Sequence, residues 1–428
     1  MTKLMTKMPI KTMVHNLIKL SKKGQGATLI GIGPMSSRVL KASFELARDK
    51  DFPLLFIASR NQVDADELGG GYVNGWNQRT FIKAIRDIAE KTNFDGLYYV
   101  CRDHGGPWQR DKERNDHLPE KEAMELGEKS YLEDIKAGFD LLMLDPTKDP
   151  FVIGKVIPLD RALQLTVDLY QYCEDKRKEL RLPPVGYEVG TEETNGGLTT
   201  PETYVEFLDE LENELKKRHL PLPTFMVGQT GTLTRYTEQV GKFDFKNAHS
   251  LAQLANKYDI GLKEHNGDYM NDFQLLQHIP AQIAATNVAP QFGTEETRAY
   301  LILADVEKEL KKQGVIQGPV SNTKAVLQEH AIDCQRWRKW MEGDQRNISV
   351  EAVKSDPELS AKILDNAGHY TFNDAEVKKE INKMLANLSC AHIDGDRFVV
   401  DRIKRSINQF VEAYNLTGVT SRIKNYQD

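Results

Sequence analysis

Over roughly its first two thirds, the chain alternates short apolar runs with amphipathic stretches. The runs fall at 27–35, 53–59, 96–102, 141–145, 185–189, 224–228, 260–264 and 284–288, and the stretches include 80–91, 122–137, 160–180 and 200–218. A short, continuously apolar run suits a strand buried on both faces, and strand–helix alternation implies parallel pairing. Thr200-Pro201-Glu202 supplies an N-cap with proline at the first helical position. Eight such units predict an α/β fold, a (β/α)8 TIM barrel over 27–293. The rival is a doubly wound sheet, but Gly31-Ile32-Gly33-Pro34 has the wrong spacing for a dinucleotide-binding turn. After residue 293 the pattern turns helical, with helices expected at 295–314, 323–342, 356–366, 374–389 and 401–415 and a short strand near Phe398. Residues 294–428 are therefore read as a helical extension that covers the barrel or mediates assembly. Residues 1–26 are read as an amphipathic helix capping one end, its apolar Met13, Leu17, Ile18 and Leu20 interrupted by His15, Asn16 and Lys19.

Composition narrows the function classes. At 428 residues, 28% charged and 40% apolar, the profile is that of an ordinary enzyme. A net charge of −6 argues against a nucleic-acid partner, which calls for a basic field. No apolar run reaches the roughly 20 residues that span a bilayer, and the N-terminus lacks a secretory apolar core, so no membrane partner is expected. Cys101, Cys173, Cys334 and Cys390 are widely spaced, which fits a reducing cytoplasm.

Barrel enzymes place their chemistry at the C-terminal ends of the strands. There the chain concentrates polar groups: Asn61 and Gln62 after the second run, Asp103-His104 closing the third, Asp145 the fourth, and Glu188 with Glu192 and Glu193 the fifth. Gln229 follows the sixth, His265-Asn266-Gly267-Asp268 the seventh, and Asn287 lies in the eighth. Side chains of adjacent strand residues point to opposite faces, so Asp103 and His104 share a site only if the strand is ending there, as Gly105-Gly106-Pro107 indicates. His104, Glu188 and His265 form a candidate metal set for a borderline divalent ion, zinc or manganese, with Gln229 as a weaker fourth ligand. Asp103 is positioned to move a proton on a substrate held there. Asn61, Gln62, Asp145, Asn266, Asp268 and Asn287 are candidate substrate contacts. Trp337, Arg338 and Trp340 read as a helix packing stripe.

Several stretches together resemble the tagatose-bisphosphate aldolase accessory-subunit family and its fructose/tagatose 6-phosphate 4-epimerase relatives, over nearly the whole length. They are Asn61-Gln62-Val63 with Gly70-Gly71-Tyr72, Asp103-His104-Gly105-Gly106-Pro107-Trp108, Leu144-Asp145-Pro146-Thr147, Tyr187-Glu188-Val189-Gly190-Thr191-Glu192-Glu193, Asn287-Val288-Ala289-Pro290 and Arg336-Trp337-Arg338-Lys339-Trp340. More distantly, the motif order is similar to class II metal-dependent aldolases. That likeness implies Asp103 as the proton-transfer group and His104, Glu188 and His265 as ligands. The chain departs at the sixth strand, where Gly228-Gln229-Thr230-Gly231 replaces a ligating histidine.

The resemblance implies a metal-dependent ketohexose or ketohexose-phosphate 4-epimerase. It would interconvert fructose and tagatose forms by breaking and re-forming the C3–C4 bond, with Asp103 on one face and Glu192 or Glu193 on the other. Asp145 and Asp268 are lesser candidates for that second acid. The alternative is a non-catalytic accessory subunit that supports a separate aldolase partner subunit; a free-standing aldolase stands third. Backbone amides near Asn266-Gly267 and Asn287-Val288 would cradle a phosphate, with Arg60 and Lys263 either assisting or paired with carboxylates. Self-association through the extension is also expected.

Overall fold

The computed structural model describes residues 8–151, 157–190 and 198–426. Eight parallel strands close on themselves. They are β1 (Leu29–Ile32), β2 (Leu54–Ala58), β3 (Tyr98–Gly105), β4 (Leu141–Leu144), β5 (Gly186–Gly190) and β6 (Phe225–Val227), followed by β9 (Gly261–Glu264) and β10 (Ala285–Val288). Between β6 and β9 a small antiparallel hairpin, β7 (Thr234–Arg235) with β8 (Glu238–Gln239), stands outside the barrel. β10 returns to β1 in register, with Gly31 opposite Asn287, and so seals the cylinder. Every strand residue is buried except Tyr98, Asp103 and His104 in the barrel and parts of the hairpin. This (β/α)8 barrel is the architecture that the apolar runs predict, and each run matches its strand to within three residues at either end.

Helices wrap the outside, each following its strand. The cap at Thr200 is present: its hydroxyl accepts the Thr203 amide, and Pro201 opens the helix Pro201–Lys217. Helix Ile10–Lys22 turns Ile10, Met13, Val14, Leu17, Ile18 and Leu20 inward. It closes the end of the barrel away from the strand C-termini, where Ile10 packs beside Gly186 at the start of β5.

The C-terminal part shares one apolar core with the barrel. Helix Pro290–Lys312 both follows β10 and begins the extension. Helix Gly395–Ala413 lies against Pro290–Lys312 and Ser37–Lys50, tied by Arg397 to Glu45 and Arg38 to Asp396. Two expectations fail here. The segment around Phe398 is helical rather than a strand, because its apolar residues Val399, Val400, Ile403 and Ile407 recur at helical spacing on a buried face. The helix expected over 323–342 stops at Cys334, since Gln335 adopts φ +54°, a left-handed conformation that no helix continues through. The chain then makes two tight 3-10 turns, Arg336–Trp340 and Gly343–Asn347, across the mouth of the barrel.

Candidate functional site

A single backbone irregularity brings Asp103 and His104 to the same face. The pairing of β3 with β4 shifts register between Arg102 and Gly105, a bulge. His104 within it takes φ +47°. A bulge re-aims one side chain out of strict alternation, so the two residues converge just before the strand ends at Gly105.

His104 meets His265, at the end of β9, ring against ring, with centroids 4.8 Å apart and edge to face. Ligand atoms of Asp103, His104 and His265 all lie within 4.8 Å of one another. Two imidazoles and a carboxylate at that spacing could hold one divalent ion, and the donor set suits zinc or manganese. Each member is held from behind. Asp145 Oδ2 lies 2.7 Å from His104 Nδ1, which fixes the ring and leaves Nε2 for a ligand. Burial opposes the charge on Asp145, yet His104, Lys148 and Thr147 hold its carboxyl well below the usual range. Burial likewise opposes protonation of His104, but Asp103 and Asp145 prevail and raise its pKa. Asn287 Nδ2 donates to Asp103 Oδ1 at 2.9 Å. Gly31 opposite Asn287 is required, because a Cβ there would strike the Asn287 Oδ1 atom.

Glu188 stands beside the cluster. Its Oε1 is 3.1 Å from His265 Nε2, and its Oε2 is 2.6 Å from the Lys263 ammonium. Both Glu188 and Lys263 are essentially inaccessible to solvent. Burial alone would discharge each; their mutual attraction holds Glu188 below and Lys263 above its ordinary pKa. Glu188 thus orients His265, while Asp103 is the carboxylate that completes the cluster with both imidazoles.

Above the cluster opens a cavity of 490 Å³. Of the residues expected to touch substrate, Asn61, Gln62, Asn266, Asp268 and Asn287 line it. Asp145 does not; it acts through His104. Gln229 is buried off the lining, its backbone amide bonded to Thr199 and its carbonyl to Asn247, so the fourth-ligand expectation gains no support from its placement. Glu192 and Glu193 lie outside the described residues. The expected phosphate cradle is otherwise engaged: the Gly267 amide donates to Asn287 O, Arg60 is paired with Asp64 and Glu113, and Lys263 with Glu188. Asp268 is notable, since burial pushes its carboxyl up to about 7 while Ala289 and Gln291 amides donate to its Oδ1.

Sequence reasoning missed the roof. Tyr72, Arg235, Lys339, Trp340, Arg346 and Tyr370 also line the cavity. In the run Arg336-Trp337-Arg338-Lys339-Trp340 only Trp337 behaves as core packing, its indole donating to Ile332 O. Lys339 and Trp340 face the site because the segment is a 3-10 turn instead of a helix. The hairpin braces roof to floor: the Tyr236 amide donates to Trp340 O, and Gln239 Nε2 donates to Asn266 O. Among the described residues no helix is long and apolar enough to cross a membrane.

Residues 14–219 match the model of a family described as D-tagatose-1,6-bisphosphate aldolase subunit GatZ/KbaZ-like. Among solved structures, a probable tagatose 6 phosphate kinase from Sinorhizobium meliloti superimposes with a TM-score of 0.70 at 18% identity, covering 90% of this chain and 100% of that one. A glycerol-complexed fructuronate-tagaturonate epimerase from Cohnella laeviribosi gives 0.55 at 14% identity over 90% and 81%. A fructose-bisphosphate aldolase from Campylobacter jejuni gives 0.53 at 13% over 95% of each chain. At these identities the likeness is one of fold.

Proposed function

We propose, from the match of residues 14–219 to the D-tagatose-1,6-bisphosphate aldolase subunit GatZ/KbaZ-like family model, that the chain serves as a subunit alongside a class II tagatose-bisphosphate aldolase. We propose further that its own pocket binds a ketohexose phosphate of the fructose–tagatose series. The observation that carries the binding is the cluster of Asp103, His104 and His265, each oriented from behind and open to a 490 Å³ cavity rich in hydrogen-bonding groups. A relic site would have no reason to keep the supporting bonds from Asp145, Asn287 and Glu188.

That same completeness favours a second reading, in which the chain is itself a 4-epimerase. A divalent cation held by His104 and His265, with a carboxylate oxygen from Asp103 or Glu188, would supply Lewis-acid polarisation of the ketose carbonyl. Asp103 takes the proton of the C4 hydroxyl as the C3–C4 bond breaks, and the electron pair passes to C3 and its conjugated carbonyl. The aldehyde turns over inside the pocket and the bond re-forms at its other face. The new C4 alkoxide then takes a proton from an acid on the opposite side. Asp268, neutral for much of its population near pH 7, is the described pocket acid suited to give it.

The deciding experiment incubates the purified chain, loaded with zinc or manganese, with fructose 6-phosphate and with tagatose 1,6-bisphosphate. Each substrate is run alone and beside a class II aldolase subunit. Activation or stabilisation of the aldolase supports the subunit reading. Tagatose 6-phosphate formed by the chain alone, lost in His104→Ala, supports the epimerase. Neither effect, together with no binding of either sugar phosphate, refutes both.

A further inference from the structure

The pocket has two chemically different ends. Its floor, at the strand termini, carries the imidazoles and Asp103; its roof, from the hairpin and the extension, carries cations. In a chain of net charge −6 that concentration is not background. We propose that Arg235, Lys339 and Arg346 form an anion subsite that takes the phosphate of the ketose phosphate, remote from the imidazole end. This rests on the sugar-phosphate reading above and assigns the phosphate to the extension.

The three cations line one cavity from two segments and have few partners of their own. Arg235 Nε is buried without a hydrogen-bond partner, and its Nη1 reaches only the neighbouring Thr234 carbonyl. Its nearest acid, Glu342, is 3.9 Å away with a side chain 66% exposed, where an ion pair contributes little. Arg346 spends Nε on the Met341 carbonyl. Lys339 sits over the Trp340 and Tyr370 rings, 5.1 Å from each centroid. Among the described residues no carboxylate comes within ion-pairing distance of Lys339 or Arg346. The acid on this wall, Asp111, is shared: it pairs with Arg114 and Arg336 and also attracts Lys339, so one carboxylate faces three cations. The cations also repel one another. Desolvation lowers the pKa of Lys339, and Arg336 and Arg114 add to it against the pull of Asp111 and Tyr72; desolvation and Arg346 likewise outweigh Glu342 at Arg235. A dianion would relieve both costs.

The scaffold is fixed in advance. Trp340 donates to the Tyr370 hydroxyl, the Tyr236 hydroxyl donates to Gln345, and Asn366 donates to the Tyr236 carbonyl. The hairpin and the two 3-10 turns therefore hold their cations in place before anything binds, which keeps the ordering cost of binding low. By contrast Arg60 and Lys263 are neutralised within the barrel.

Calorimetry on the full chain stripped of metal by chelation tests this, with inorganic phosphate and fructose 6-phosphate as titrants. Lys339→Met and Arg346→Met should each weaken both by about tenfold or more, the worth of one charge-assisted hydrogen bond. Lys339→Arg should retain affinity. Zinc titrations and melting curves on each variant confirm that the imidazole end and the fold persist. Wild-type binding of fructose 6-phosphate that the Met variants leave unchanged overturns the subsite while the sugar-phosphate reading stands. Phosphate binding lost in the variants, with fructose 6-phosphate bound no more tightly than phosphate, keeps the subsite and removes the sugar. Binding of neither titrant overturns both.

Discussion

Replacing Asp268 by Asn takes a charge out of a position that burial makes suited to a neutral acid. The side chain is 4% exposed, and both of its backbone donors, Ala289 at 3.1 Å and Gln291 at 2.8 Å, converge on the single atom Oδ1. An asparagine presents the same oxygen to both, so the substitution removes the charge and keeps the bonds. The folded carboxyl titrates near about 7 against 3.8 when unfolded. A raised carboxyl binds its proton better in the folded state, so folding stability falls as pH climbs from about 4 to about 7, and the full penalty applies above that. At about 1.4 kcal/mol per unit, its ceiling is roughly 4 kcal/mol. A kilocalorie shifts the melting temperature of a chain this long by about 1–2 °C, extending the size trend of smaller domains. Asp268→Asn should therefore melt about 3 °C or more above wild type at pH 8 in chelator, and the gain should vanish by pH 4. Equal melting temperatures at pH 8, or a gain undiminished at pH 4, would refute the reasoning.

Other substitutions probe separate parts of the argument. Asp134→Ala strands the Arg102 guanidinium, fully buried and paired at 2.6 and 2.8 Å, and should cost about 3–5 kcal/mol in denaturant unfolding; a loss below about 1 kcal/mol would mean the pair is dispensable. Asp145→Asn should weaken zinc binding about 10–100-fold by calorimetry through the loosened His104 ring, whereas unchanged affinity would remove Asp145 from the site. Gly31→Ala should displace Asn287 from Asp103 and lower sugar-phosphate affinity at little cost in melting temperature. If the affinity does not change, Asn287 does not set the geometry of Asp103.

The barrel was readable because each strand is apolar on both faces and so leaves an unbroken run, such as Leu54–Ala58, in the sequence. The strand-end logic likewise brought Asp103, His104, His265, Asn266, Asp268 and Asn287 to one end of the fold. What it missed depends on local geometry. Nothing in Cys101-Arg102-Asp103-His104 announces the register shift that turns both side chains to one face; the sequence reading reached the right pair from the strand end at Gly105 alone. Glu188 looked like a ligand because the buried Lys263 across from it, which takes up one of its oxygens, is two strand-runs later in the chain. The roof was hidden for a third reason. Whether Lys339 packs outward or faces the site turns on the left-handed Gln335 that ends the preceding helix, and on a hairpin too short to show alternation.

The first helix has one further consequence, for the order in which the molecule is made. Lys11 bonds to Leu222 O, His15 pairs with Asp259, and Asn16 donates to Ile423 O. A ribosome therefore releases this segment hundreds of codons before its partners exist. Until those partners exist the apolar face of Met13, Leu17 and Ile18 is not fully seated, and exposed apolar surface of that kind on a growing chain is what chaperones bind. The stopper of the barrel is made long before the partners that hold it.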